Sequence, residues 1–163
     1  EQAWGFELGV EVQVLRRGLN RNDLTVFGDE GTIASFSGAV FGQNCTQGLS
    51  GAVIEFWHAD PKGTYDNRSE NMRYRCVVIA DELGRYELRT LVPGRYLNGS
   101  TYRPSHIHVK VFSASGEELL TTQLYFEGDP YIECDSFVST SLVIPFVEDE
   151  SGELSAEGVH FVV

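Results

Sequence analysis

The stretch RPSHIHVKV, residues 103–111, alternates polar and apolar side chains in its second half and predicts a β-strand. Successive side chains of a strand point to opposite faces, so His106 and His108 share one face and the apolar residues between and after them share the other. The apolar face indicates contact with a hydrophobic core. An H-x-H pair brings two imidazoles within reach of one metal ion, although two half-exposed surface histidines would produce the same pattern.

Short runs of this kind recur along the chain. They are rich in β-branched and aromatic residues, and turn sequences such as DELGR and EGDP separate them. Together with the stretch above, the runs lie at residues 6–15, 32–42, 50–60, 75–82, 84–91, 106–116, 118–126, 141–149 and 158–163. We therefore expect an all-β fold, an antiparallel β-sandwich of about eight to nine short strands with little helix.

The bulk properties of the chain limit its organisation and its partners. No internal repeat or composition shift divides the 163 residues, so we expect one domain over residues 1–163. Residues 16–31 lack a clear period, and residues 1–31 are expected to form an irregular or strand-like N-terminal segment. The formal charge of −12 disfavours nucleic acid and anionic membrane surfaces as partners, because the field of the protein repels polyanions. No run of about 18 apolar residues is present, so we expect no membrane span.

Two sequence features bear on the cellular compartment. Three N-x-S/T tripeptides begin at Asn44, Asn67 and Asn98. The chain starts at Glu1 without a methionine, which fits a processed product. Together these features favour a secreted or periplasmic location over a cytoplasmic one. Three cysteines, which allow at most one internal disulfide, leave the redox compartment open: Cys45, Cys76 and Cys134.

The other donors of a metal site around the H-x-H pair must come from elsewhere in the chain. His58, in FWHAD, lies on another predicted strand, and His160 lies three residues from the end. A carboxylate could complete a 2-His-1-carboxylate site for ferrous iron. Tyr65 and Tyr96, each close to a glycine turn, are the other candidates, although a tyrosine at a strand end usually serves packing and hydrogen bonding.

Several motifs in the same order resemble those of one enzyme family. GLSGAVIEFWHADPKGTYDN, DELGRYELRTLVPGRY, RPSHIHVKV and LTTQLYFEGDP, within residues 48–130, are similar to the core of the intradiol ring-cleavage dioxygenases, the catechol and protocatechuate 3,4-dioxygenase group. The resemblance implies an antiparallel β-sandwich. It also implies an enzyme that uses Fe(III) and O2 to cleave the ring of a catechol-type substrate between its two hydroxylated carbons, giving a cis,cis-muconate-type product.

The family resemblance assigns metal ligands by motif position. It implies that four side chains hold one ferric ion per chain: Tyr65, Tyr96, His106 and His108. The second tyrosine follows a P-G-x motif in the family, which favours Tyr96, but Tyr102 also precedes the histidines and stays an alternative. The residue types suit the metal, because a phenolate at neutral pH needs a strong local cation, and hard anionic oxygens favour ferric over ferrous iron.

The same resemblance gives roles to three further groups. The Tyr96 phenolate would leave the metal and take up a substrate proton, and Arg103 would stabilise charge that develops on the substrate. Gln123 would form a hydrogen bond with the arginine or with an oxygen from O2. In the alternative interpretation, Arg103 is a surface cation paired with a carboxylate and Gln123 is a plain sheet residue.

The match to the family is incomplete at the N-terminus. Residues 1–31 do not resemble the helical N-terminal region of the catechol and hydroxyquinol dioxygenases, so the chain is expected to be a short catalytic core. Protocatechuate enzymes build the pocket from two chain types, so both homo- and hetero-oligomers are compatible with the sequence. Substrate preference is expected to depend on residues 6–31 and 65–74. Two other functions remain: an inactive β-sandwich binding module, or an unrelated H-x-H metalloprotein.

Overall fold

The computed structural model describes residues 19–163. The strand predicted at residues 6–15 lies outside the described residues, as do residues 6–18 of the first segment expected to influence substrate preference. Thirteen strands are present in the described part: β1 (Leu19–Asn20), β2 (Ile33–Phe41), β3 (Val53–Trp57), β4 (Arg75–Ile79), β5 (Arg85–Leu91), β6 (Leu97–Asn98), β7 (Thr101–Tyr102), β8 (His106–Phe112), β9 (Glu118–Phe126), β10 (Val143–Ile144), β11 (Val147–Glu148), β12 (Leu154–Ala156) and β13 (Phe161–Val162). Two single-turn 3₁₀ helices, Ile132–Cys134 and Thr140–Leu142, are the only helical elements of residues 19–163.

The strands form two main sheets and one small hairpin. The first sheet has the order β1-β4-β3-β8-β9-β10, and the second has the order β11-β12-β2-β13 with β5 paired to β2. β6 and β7 form a separate hairpin. The predicted all-β sandwich is confirmed.

Pairs of two long strands differ in direction from pairs of a long and a short strand. All pairings between the six long strands are antiparallel: β3 with β4 and β8, β8 with β9, and β2 with β5. The short strands that join a long strand do so in parallel, as β1 does to β4, β10 to β9, and β12 and β13 to β2. Pairs of short strands, β11 with β12 and β6 with β7, are antiparallel. A parallel neighbour needs a long connection, and residues 127–142 provide it between β9 and β10. The antiparallel prediction therefore holds for the long strands, while the edges are mixed.

One predicted strand is wrong as a single element. The run at residues 141–149 contains Pro145, and the structure divides it into β10 and β11 on either side of this residue. Proline has no backbone N–H to donate to a sheet ladder, so the pairing breaks there. The β6–β7 hairpin and β12 were not predicted, because each has only two or three residues and no clear alternation.

The hydrophobic core lies between the two main sheets. The apolar face of β8 is almost fully buried, with Ile107 at 1% exposure and Val109 at 0%, as the alternation predicts. Aromatic side chains cross between the sheets: Phe36 of β2 lies 5.8 Å from Phe56 of β3, ring centre to ring centre, in an edge-to-face arrangement. This packing fixes the first sheet so that the opposite face of β8, with its histidines, points away from the core.

Neighbouring strands place their site residues side by side. In the register of the first sheet, Trp57 on β3 faces His108 on β8, and His108 faces Gln123 on β9. Two residues further along β8 and β9, His106 faces Tyr125. Because cross-strand neighbours have Cβ atoms only about 5 Å apart, this register brings two histidines, an indole, an amide and a phenol to one patch of the sheet.

Candidate metal centre

The structure brings two tyrosines to the histidine face of β8. Tyr65 comes from the loop that follows β3, and Tyr96 immediately precedes β6. The Tyr65 hydroxyl lies 3.0 Å from His108 Nε2 and 3.4 Å from His106 Nε2. The Tyr96 hydroxyl lies 3.2 Å from His106 Nε2 and accepts a hydrogen bond of 3.3 Å from Tyr65. The two phenol oxygens and two imidazole nitrogens therefore converge on one point.

Tyr102, the alternative second tyrosine, lies elsewhere. Its side chain is 45% exposed, and its ring packs on Tyr131 at 5.6 Å between ring centres. The hairpin explains the difference, since Tyr96 stands before its first strand and Tyr102 lies in its second strand, paired with Leu97.

The spacing of the four converging atoms fits a single metal ion. Two atoms that each lie about 2.1 Å from a metal, at an angle of about 90–110°, are about 3.0–3.4 Å apart. Four of the six distances among the two hydroxyls and two Nε2 atoms lie in the same range, from 3.0 to 3.4 Å. Within residues 19–163, no group of three His, Cys, Asp or Glu side chains could hold a metal ion, so the 2-His-1-carboxylate alternative has no support there.

The electrostatics of the centre favour neutral imidazoles. His106 Nδ1 lies 2.7 Å from the Pro104 carbonyl oxygen. A carbonyl only accepts, so Nδ1 carries the hydrogen and Nε2 keeps its lone pair toward the tyrosines. Burial lowers the pKa of His106. Burial, and then the repulsion that a protonated His106 would exert, lower the pKa of His108 to about 3. Both rings can therefore act as neutral nitrogen donors.

The phenols need a cation before they can ionise. Burial, and then the hydrogen bond to Tyr96, raise the pKa of Tyr65 well above its ordinary value. The hydroxyl therefore stays protonated at neutral pH when no metal is present. A multivalent cation at the centre would reverse this preference, because it stabilises the phenolate directly.

His108 is oriented by stacking. Its ring lies parallel to that of Trp57, with 4.8 Å between ring centres and 6° between ring planes. The guanidinium of Arg75 lies 5.4 Å from the centre of the Trp57 ring and is paired at 3.2 Å with Glu55, which is 1% exposed. A cross-strand row from Arg75 through Trp57 thus supports His108, whereas a backbone hydrogen bond supports His106.

Arg103 lies beside the four converging atoms. Its Nη1 donates to the Tyr96 hydroxyl at 3.4 Å and to His106 Nε2 at 3.3 Å. Its Nη2 donates to Gln123 Oε1 at 3.0 Å and to the Tyr125 hydroxyl at 3.4 Å. All the predicted site residues thus lie in one network, and the arginine is a buried group of the site.

Sequence reasoning missed three residues of this network. Asp135, paired with Arg103 Nε at 2.7 Å, lies in an irregular segment that offers no sequence signal. Trp57 and Tyr125 could have been found from strand alternation, because each lies on the same sheet face as its cross-strand histidine.

Two histidines and three cysteines remain outside the centre. His58 is buried within the fold, with Nδ1 at 2.6 Å from the Ala59 carbonyl and Nε2 at 2.7 Å from the Thr90 hydroxyl. His160 Nδ1 accepts the backbone N–H of Ala39 at 3.0 Å. All three cysteines are free thiols: Cys45, Cys76 and Cys134.

The fold and the site define a class: a β-sandwich protein in which two phenols and two imidazoles converge beside an arginine. Comparison with known proteins gives the family. The model of the family described as Dioxygenase matches residues 14–161. The chain belongs to this family, the intradiol ring-cleavage dioxygenases.

Similar proteins are found among bacterial enzymes. The chain is 36% identical over 116 residues to the chlorocatechol 1,2-dioxygenase of Pseudomonas putida, covering 60% of the chain and 44% of that protein. It is 35% identical over 126 residues to the catechol 1,2-dioxygenase of Acinetobacter baylyi, covering 64% of the chain and 40% of that protein. The chain therefore spans less than half the length of both relatives.

A solved structure of similar size also matches. It is the dioxygenase domain of a dioxygenase and carbohydrate-binding protein fusion from the cellulolytic bacterium Streptomyces sp. SirexAA-E, with 33% identity and a TM-score of 0.78. The alignment covers 90% of this chain and 88% of that domain. The helices of residues 19–163 are single 3₁₀ turns, so none of them has the length of a membrane-spanning helix.

Proposed function

We propose that the chain is a ferric-iron-dependent dioxygenase that cleaves a catechol-type substrate between its two hydroxylated carbons. O2 supplies both inserted oxygen atoms, and the product is of the cis,cis-muconate type. The observation that carries this proposal is the convergence of the Tyr65 and Tyr96 hydroxyls with both Nε2 atoms of the H-x-H pair, beside a buried arginine. Family membership and the names of the relatives support the same reaction class.

The donor set suits iron in its ferric state. Tyr65, Tyr96, His106 and His108 would hold one Fe(III) per chain. Two phenolates and two neutral imidazoles bring two negative charges to the ion, and hard anionic oxygens favour Fe(III) over Fe(II). When bound, the ferric ion supplies Lewis acidity toward both catechol oxygens and the electronic coupling that lets a singlet aromatic ring react with O2.

Tyr96 is the proposed acceptor of a substrate proton. A catechol hydroxyl must lose its proton before its oxygen can serve as an anionic donor. The Tyr96 oxygen accepts a hydrogen bond from Arg103 Nη1 at 3.4 Å, so a phenolate there is stabilised until it takes up the proton. Tyr65, which approaches both histidines, is expected to keep its position throughout.

Arg103 is the proposed stabiliser of negative charge on the substrate. Its side chain is 9% exposed, and a charge acts more strongly in such a water-poor setting than in solvent. Gln123, through its 3.0 Å bond to Nη2, holds the guanidinium over the centre. This bond supports the role of Gln123 as the hydrogen-bond partner of the arginine, one of the two roles expected from the resemblance.

The competing functions make different demands on the site. An inactive binding module would have no reason to keep four mutually matched donors, and all four are present. An unrelated H-x-H metalloprotein would use a carboxylate and leave the tyrosines inert.

The test is turnover with defined catechols. The purified chain, loaded with Fe(III), is given catechol, protocatechuate, hydroxyquinol and chlorinated or alkylated catechols while O2 uptake and product absorbance are recorded. One O2 consumed per substrate, with muconate-type absorbance, is the expected result for at least one compound. Tyr65→Phe should abolish turnover, and Tyr102→Phe is the matched control that should retain it. No O2 uptake with any catechol, in chain that holds iron, would overturn the proposal.

A further inference from the structure

The carboxylate of Asp135 is bound to the Nε edge of the Arg103 guanidinium. Its Oδ2 accepts from Arg103 Nε at 2.7 Å, and the two side chains are 6% and 9% exposed. Its Oδ1 accepts the backbone N–H of Phe137 at 2.9 Å. Both carboxylate oxygens are therefore occupied, and the turn at residues 135–137 fixes the direction in which Oδ2 points.

The contacts of Arg103 leave only one of its nitrogens directed at the four converging atoms. Nε is bound to Asp135, and Nη2 donates to Gln123 and Tyr125. Only Nη1 is directed toward Tyr96 and His106. Because a guanidinium is rigid and planar, fixing the Nε edge determines where Nη1 points. The ring of Phe137, 5.1 Å from the guanidinium carbon, covers the plane from one side.

The negative charge of Asp135 also stabilises the buried guanidinium of Arg103. A buried guanidinium without a counter-charge is strongly destabilised, and a ferric ion nearby would repel it further. The carboxylate of Asp135 offsets both effects while binding Nε, whereas Nη1 faces His106. An arginine can therefore stay beside a multivalent cation instead of turning out to solvent.

We propose that Asp135 is a positioning residue, which acts through Arg103 to hold Nη1 where the oxygens of a bound catechol arrive. This inference rests on the proposed function. Among the hydrogen bonds of the described residues, those of Asp135 go to Arg103 and Phe137 and not to the four donor atoms. The residue sets the affinity for the catechol dianion rather than the affinity for iron.

A double-mutant cycle tests the inference. Asp135→Asn keeps the shape of the side chain and one acceptor oxygen but removes the charge. In the ferric full chain without O2, Asp135→Asn is expected to weaken catechol binding by about tenfold, measured by optical titration, and to leave iron content and the visible band of the catechol-free protein unchanged. In an Arg103→Met background the same substitution is expected to have no further effect, because the guanidinium through which Asp135 acts is absent.

Two further variants keep the test decisive. Glu153→Gln, which removes one charge from an exposed pair with Arg89 on the second sheet, is the charge control and should bind catechol as the wild type does. If Asp135→Asn does not fold, Asp135→Glu, which keeps the charge but displaces it by one methylene, takes its place in the cycle.

The outcomes separate the two proposals. Unchanged catechol affinity in the Asp135 variant, or an equal loss in the Arg103→Met background, would overturn the positioning role. A wild-type ferric chain that binds no catechol would instead overturn the proposed function, and the positioning role with it.

Discussion

His58 is expected to make the fold sensitive to acid, although it lies in the same motif as residues of the site. Its ring is 1% exposed, with Nδ1 facing the carbonyl of Ala59 and Nε2 facing the hydroxyl of Thr90. The carbonyl only accepts, so Nδ1 carries the hydrogen and Nε2 accepts from the threonine. A second proton on Nε2 would remove this acceptor and place a charge in the core.

The size of the effect follows from the pKa. Burial lowers the pKa of His58 from its ordinary value of 6.5 to about 4. Between these two pH values the unfolded chain binds a proton that the folded chain does not, so the free energy of unfolding decreases as the pH falls. The contribution is fully present above pH 6.5 and is lost progressively down to pH 4. Each pH unit is worth about 1.4 kcal/mol, which gives a loss of about 3 kcal/mol over the whole range.

Urea unfolding of the metal-free wild type and of His58→Gln, at several pH values from 7 to about 4, measures this contribution. Glutamine should lower stability at pH 7 through lost packing, but the difference between the two proteins should shrink by about 3 kcal/mol as the pH falls. His106 and His108 titrate in both proteins and so cancel in the comparison. A difference in stability that stays constant with pH would refute the reasoning. The variant should still bind iron, because His58 lies outside the donor set.

Three further substitutions test separate parts of the structure. Tyr65→Phe removes one of the two phenolates and should weaken and shift the visible band of the ferric protein, whereas Tyr102→Phe should leave its intensity and wavelength unchanged. Trp57→Leu removes the ring that orients His108 and should weaken iron binding by about tenfold in a chelator competition, while Trp57→Phe, which can still stack, should lose less. Gly38→Ala would place a Cβ 1.8 Å from the Val159 carbonyl oxygen, so it should lower the free energy of unfolding by about 3 kcal/mol in urea denaturation without altering the iron spectrum.

Alternation made the central strand of the site predictable. The apolar side of β8 follows a strict period of two, so one face had to enter the core and both histidines had to leave it. The four long antiparallel pairings follow from similar runs. The break in pairing at Pro145 and the two-residue strands at the sheet edges were not predictable in this way, because their pairing partners are distant in the sequence.

The structure was needed to separate Tyr96 from Tyr102 by position and to find the carboxylate that pairs with Arg103. Tyr96 and Tyr102 lie on either side of the β6–β7 turn, and sequence spacing alone does not reveal that the chain doubles back between them. Asp135 reaches Arg103 only because residues 127–142 return to the sheet beside β9, a path that no local propensity encodes. The strand predicted at residues 6–15 and the secreted or periplasmic location stay predictions.

The visible spectrum of the ferric protein, recorded without O2 before and after addition of catechol, tests the central claim most directly. Two phenolates on one ferric ion should give a charge-transfer band that colours the protein burgundy, and catechol should shift this band to longer wavelength as its oxygens join the metal. A protein that stays colourless after loading with Fe(III) would contradict the account, because Tyr65 and Tyr96 would then not be ligands.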